Sequence, residues 1–172
     1  MRTQRMALGL ALLLSVVTPA TAQQTSFQDA LLDHKIGSWV MTGTIGGQEI
    51  THDLEIDWIL AHQYVRIYEI SRELDSTGNP QYEAYVHIGW DPELEQYACL
   101  WLDITGSSGF RPIGYAVRKG NTLPFVFDMG DGSLFHTTFM YEEGTDTWRW
   151  TMDAQRGDDM QSFARVQLRR RK

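Results

Sequence analysis

The side chains best placed to do chemistry are two histidines, an arginine between tyrosines, and a single cysteine. His52 and His136 fall on the apolar side of alternating stretches, whereas His34, His62 and His87 read as solvent-facing or near turns. A histidine facing an apolar interior can relay a proton, ligate iron, or simply sit hydrogen-bonded in a core. Tyr64, Arg66 and Tyr68 share one face of a strand-like run. If that face is inward, Arg66 needs an anion, and a bound carboxylate gripped bidentately between tyrosine hydroxyls would supply it. Val65 and Ile67 make the opposite face equally apolar, so an outward Arg66 paired with a neighbouring acid remains open. Cys99 sits between Tyr97 and Trp101 at strand spacing, with neither a histidine partner nor a helix start beside it, and reads as an inert buried thiol.

Other chemistries find no footing. There is no His-x-His or Cys/His cluster for zinc. Asp53, Glu55 and Asp57 alternate along a polar face, which is a solvated strand surface and not an acid–base pair. No Gly-x-Ser-x-Gly, Ser-x-x-Lys or glycine-rich phosphate loop occurs, and Gly106-Ser107-Ser108-Gly109 reads as a turn. No catalytic residue is therefore assigned.

The elements that would carry these side chains are strands. About ten short runs alternate with a period of two: Trp39–Ile45, Gln48–Ile59, Gln63–Leu74, Gln81–Trp90, Gln96–Ile104, Pro112–Arg118, Thr122–Phe127, Leu134–Tyr141, Thr147–Ala154 and Met160–Leu168. Gly46-Gly47 joins the first two as a tight hairpin. Every connection is too short for a crossover helix, so neighbours must pair antiparallel. Ten strands must dispose of their edges, and closing the sheet does so completely; a two-sheet sandwich is the competing solution. Parity puts Trp39, Met41 and Gly43 inside, with Ile50, His52, Leu54, Ile56 and Trp58, then Tyr82, Ala84, Val86, Ile88 and Trp90, then Trp148, Trp150 and Met152. One helix is predicted over Ser26–Ile36, capped by Ser26 and lying across a barrel mouth.

The first residues read as an address. Arg2 and Arg5 precede an apolar stretch from Met6 to Val17 and a small-x-small site at Ala20-Thr21-Ala22. A signal peptide over residues 1–22, cleavage after Ala22, and a periplasmic or secreted chain beginning at Gln23 are expected. Stable membrane insertion is not. That leaves 150 of the 172 residues for one domain with a substantial core. One cysteine allows no internal disulfide. Four of the remaining 13 Lys and Arg form a basic tail, Arg169–Lys172, so residues 23–168 carry nine basic side chains against 22 Asp and Glu. An acidic body without a basic stripe excludes nucleic acid as a partner.

Gly37-x-Trp39 after a short helix resembles the start of lipocalin-like (calycin) barrels. Gly89-Trp90-Asp91, Tyr97, Trp101-Leu102-Asp103, Gly106, Gly114 and Arg165 follow in an order similar to an uncharacterised bacterial lipocalin-like family, distantly nitrobindin-like. The resemblance covers nearly all of residues 23–168. It implies an all-β, closed antiparallel barrel, and that Arg165 packs over Trp39 to close one end. The nitrobindin-like haem barrels need a histidine late in the chain, for which His136 is the candidate. They also place glycine where Met41 stands here.

The leading expectation is an exported barrel that binds a small apolar or amphipathic ligand and has no resident cofactor. Met41, Leu54, Trp58, Tyr64, Tyr68, Trp101, Phe125 and Trp150, with His52, Arg66 and His136, are the candidate cavity residues. The alternatives are a barrel-cavity isomerase or cyclase using His52, His136, Tyr64 and Arg66, which requires at least two of them to converge, and haem binding through His136. An aromatic-filled barrel with no cavity, or a partner-binding surface, would leave neither.

Overall fold

The computed structural model describes residues 27–106 and 109–172. The expected signal-peptide segment, Ser26 and the serines of the Gly106–Gly109 turn lie outside the described residues. Ten strands form: β1 (Gly37–Ile45), β2 (Gln48–Ile59), β3 (Tyr64–Ser71), β4 (Glu83–Asp91), β5 (Gln96–Asp103), β6 (Ile113–Ala116), β7 (Thr122–Asp128), β8 (Ser133–Glu142), β9 (Thr147–Arg156) and β10 (Asp159–Arg170). Each pairs antiparallel with its neighbour in the chain, and β1 pairs with β10, so the sheet closes on itself. Alternation drives the result: 12-residue β2 buries His52, Leu54 and Ile56 while Glu55 between them stays exposed.

The closing seam runs from Trp39 opposite Arg170 to Ile45 opposite Ala164. Gly43 lies in it at φ +141°, and a Cβ there would sit 2.2 Å from the Arg165 carbonyl oxygen. Only glycine tolerates both that backbone angle and that approach. The tail residues Arg169 and Arg170 continue β10, and the Arg171 amide donates to the Ser38 carbonyl. Half of the expected basic tail is thus part of the seam.

Helix α1 (Ala30–Asp33) is a single turn, capped by Asp29, whose carboxylate accepts from the Leu32 amide at 2.8 Å. It buries Leu31 and Leu32 and seals one mouth of the barrel. Three tryptophans tie the seal to the barrel. Trp58 donates to Asp33 at 2.8 Å, Trp39 to the Lys35 carbonyl at 2.7 Å, and Trp148 to the His34 carbonyl at 3.4 Å.

The arginine that covers Trp39 is Arg170, not Arg165. Its guanidinium stands 4.0 Å from the ring centre and donates to the carbonyls of Ile36 (2.6 Å) and His34 (2.9 Å). Arg165 lies on the outer face, bonded to Asp153 and to the carbonyls of Met152 and Ala164. Strand parity is the reason. Ala164, Val166 and Leu168 are buried, so Arg170 continues their face while Arg165 falls on the other.

The barrel interior is filled from the sealed end to its middle. Phe125, Phe139 and Trp150 pack ring against ring there, with Phe139 4.5 Å and Trp101 5.3 Å from Trp150. Beyond Trp101 the packing stops.

Candidate functional site

The other half of the barrel is a cavity of about 590 Å³ that opens at the end opposite α1. That volume lies within the usual range for small-molecule sites. One wall is apolar, made by Ile45, Ile50, Phe127, Met129, Phe135, Met152 and Phe163. The other is polar and comes from β2 to β5: His52, Glu69, Ser71, Glu73, Tyr82, Trp101 and Asp103.

His52 Nδ1 and Glu69 Oε1 lie 2.6 Å apart, with the two side chains 4% and 1% exposed. The β2–β3 register sets Leu54 opposite Glu69 and His52 opposite Ser71, so both reach the interior one residue pair apart. Burial pushes the Glu69 carboxyl above its ordinary pKa, and the hydrogen bond to His52 opposes that rise. Glu69 Oε2 is buried and has no protein partner. A buried, unpaired carboxylate oxygen is costly, and a bound donor would relieve it.

Tyr82 stacks on His52 with ring centres 5.7 Å apart, and its hydroxyl accepts from Trp101 Nε1 at 3.0 Å. Burial, then the nearby Glu69 charge, drives the Tyr82 hydroxyl well above its usual range, so it stays a neutral phenol. Ser71 donates to Glu73 at 2.8 Å and holds that carboxyl below its ordinary pKa at the cavity rim.

Of the residues expected to line the cavity, only His52 and Trp101 do. Met41, Leu54, Phe125 and Trp150 are fully buried in the packed half beneath it. Trp58 belongs to the sealed end, stacked on His62 at 3.9 Å. Tyr64, Arg66 and Tyr68 are on the outside, contrary to the inward reading. Arg66 forks onto Asp57 with two bonds of 2.9 Å, Tyr68 donates to Glu83 at 3.0 Å, and Tyr64 is 43% exposed. His136 also faces outward, its Nε2 2.6 Å from Gln155 on the neighbouring strand, so a haem in the interior would not meet it. His52, His136, Tyr64 and Arg66 are therefore dispersed, with only His52 in the cavity, and no two of them converge there for proton transfer. Among the described residues no three His, Cys, Asp or Glu side chains are grouped to hold a metal.

Glu69, Tyr82, Asp103, Phe127, Phe135 and Met152 are cavity residues that the candidate set lacked. A signal for Glu69 was present. Placing Val65 and Ile67 inside forces Glu69 inside as well, within reach of the inward His52.

No protein-family model matches the chain, and no curated protein matches it. The fold and the cavity alone define its class: a closed ten-stranded antiparallel barrel with an open, half-empty interior.

Proposed function

We propose that this protein is an exported binding protein that holds one small amphipathic molecule in the open half of its barrel. The observation that carries this is the division of a single cavity into an apolar wall and a hydrogen-bonded polar wall with one buried acceptor, Glu69 Oε2, left unpaired. An apolar body packs against Phe127, Phe135, Met152 and Phe163, and a polar head meets His52, Glu69, Tyr82 and Asp103. Closed barrels of about this size have room for one small ligand where side chains do not fill them. The lipocalin-like resemblance supports the same reading.

Export rests on Arg2, Arg5, the apolar Met6–Val17 stretch and Ala20-Thr21-Ala22. It leaves a chain starting at Gln23 in the periplasm or outside the cell, with no nucleic-acid partner and no stable membrane insertion. Among the described residues no helix is long and apolar enough to cross a membrane.

Native mass spectrometry of the purified protein tests the binding reading. We expect a single adduct of small-molecule mass, or its return on incubation with an amphiphile panel, and the same panel should quench the Trp101 contribution to fluorescence. A protein that never carries an adduct and whose fluorescence is indifferent to the panel would end the proposal.

A further inference from the structure

We propose that the cavity selects a cationic head, so that its ligand is an amphiphilic amine and not a fatty acid or other carboxylate. This rests on the binding reading above and gives it a charge. Four acids line the cavity, Glu49, Glu69, Glu73 and Asp103, and neither a lysine nor an arginine does. Of the arginines near this end, Arg72 pairs with Asp53 at 2.7 Å, Arg156 with Asp131 at 2.9 Å and Arg165 with Asp153, while Arg111, beside Pro112, is exposed and does not line the cavity. Lys35, the buried amine of the interior, is sealed on the far side of the aromatic layer, 4.1 Å from the ring centres of Phe139 and Trp148.

The donors of the polar wall are largely spent, the Tyr82 hydroxyl on Asp103 among them. Trp101 Nε1 is given to Tyr82, Ser71 Oγ to Glu73, and His52 Nδ1 is taken up by Glu69. What the wall offers a ligand is acceptors, foremost Glu69 Oε2, and the faces of Trp101 and Tyr82. An ammonium group has three donors and no acceptor, and it is attracted to aromatic faces as well as to carboxylates. A carboxylate would enter among Glu69, Glu73 and Asp103 with no cation to meet it, at a cost that grows as water is excluded. A neutral alcohol can satisfy Glu69 Oε2 but leaves the surplus charge unanswered.

The experiment is a competition on the purified protein. N-phenyl-1-naphthylamine reports on the cavity and is displaced at pH 7 by decylamine, decanol or decanoate, which share one chain and differ only in the head. Decylamine should compete at least about tenfold better than decanoate, with decanol between them, since tenfold corresponds to about 1.4 kcal/mol. Glu69→Gln with Asp103→Asn should shrink the amine-over-decanoate preference to about threefold or less. Asp103→Asn alone, which spares the His52–Glu69 bond, should shrink it part of the way. Decanoate competing as well as decylamine, or a preference untouched in both variants, overturns the cationic assignment while binding itself stands. Failure of the reporter and all three competitors to bind overturns both.

Discussion

At the scale of single residues, burial of ionisable groups sets the balance. Lys35 is wholly buried with its amine unpartnered, in a cage of Phe139 and Trp148. The rings favour a cation by about 2 kcal/mol, whereas removing an ammonium from water costs several kcal/mol, so burial wins and the Lys35 pKa falls well below its ordinary value. The unfolded chain then holds a proton that the folded chain lacks, and Lys35 makes the protein more stable as pH rises toward about 10. Lys35→Met keeps the shape and removes the penalty. It should raise the unfolding free energy at pH 7 by about 1–4 kcal/mol, with the gap narrowing at pH 9.5, as measured by urea denaturation. A Lys35→Met protein less stable than wild type at both pH values would refute this. The arginines give a second residue-scale expectation. Arg170 combines stacking on buried Trp39 with bonds to two carbonyls of the sealing segment. Its replacement by alanine should cost about 2–3 kcal/mol, at least about 1 kcal/mol more than Arg165→Ala, in parallel urea titrations.

Among the elements, those with one clearly apolar face were legible from sequence and those without were not. The alternation of β2 gave its bounds and its parity, because Asp53, Glu55 and Asp57 leave no second way to face it. In β3 both faces read as apolar, and what decides is a partner outside the strand. Arg66 and Tyr68 find Asp57 and Glu83 on the neighbouring strands, while Glu69 finds His52 inside. Periodicity carries no information about such cross-strand partners. The helix was anticipated at its place, but its reach was not, since Asp29 and not Ser26 caps the described turn. For Arg165 the parity of Ala164, Val166 and Leu168 points outward, whereas the lipocalin-like resemblance implies a place over Trp39 that Arg170 takes. The seam offers the element-scale test. Gly43→Ala places a Cβ against the Arg165 carbonyl at an angle that L-residues rarely adopt. It should cost about 3 kcal/mol or more and speed exchange of the β1 and β10 amides ahead of those in β4 and β5. Uniform exchange rates across the barrel would contradict the seam's special dependence on Gly43.

For the whole molecule, the barrel is neither a packed core nor a hollow cup. Its sealed half is packed with Trp39, Trp148, Trp150, Phe125 and Phe139, which alternation assigns to the interior without saying whether they line a cavity. Its open half holds the polar network that sequence reading mostly missed. Whether a barrel is full depends on where large side chains stand along its axis, which follows from strand stagger and not from composition. The central claim is that the open half admits one molecule. Its most direct measurement is the stoichiometry of N-phenyl-1-naphthylamine binding to wild type and to variants whose cavity is filled in place, Met152→Trp and, separately, Ser71→Trp. Wild type should saturate at one probe per chain, and each filled variant should lose at least about tenfold in affinity while still unfolding cooperatively. Saturation at one probe per chain with undiminished affinity in both folded variants would place the probe elsewhere and contradict the account.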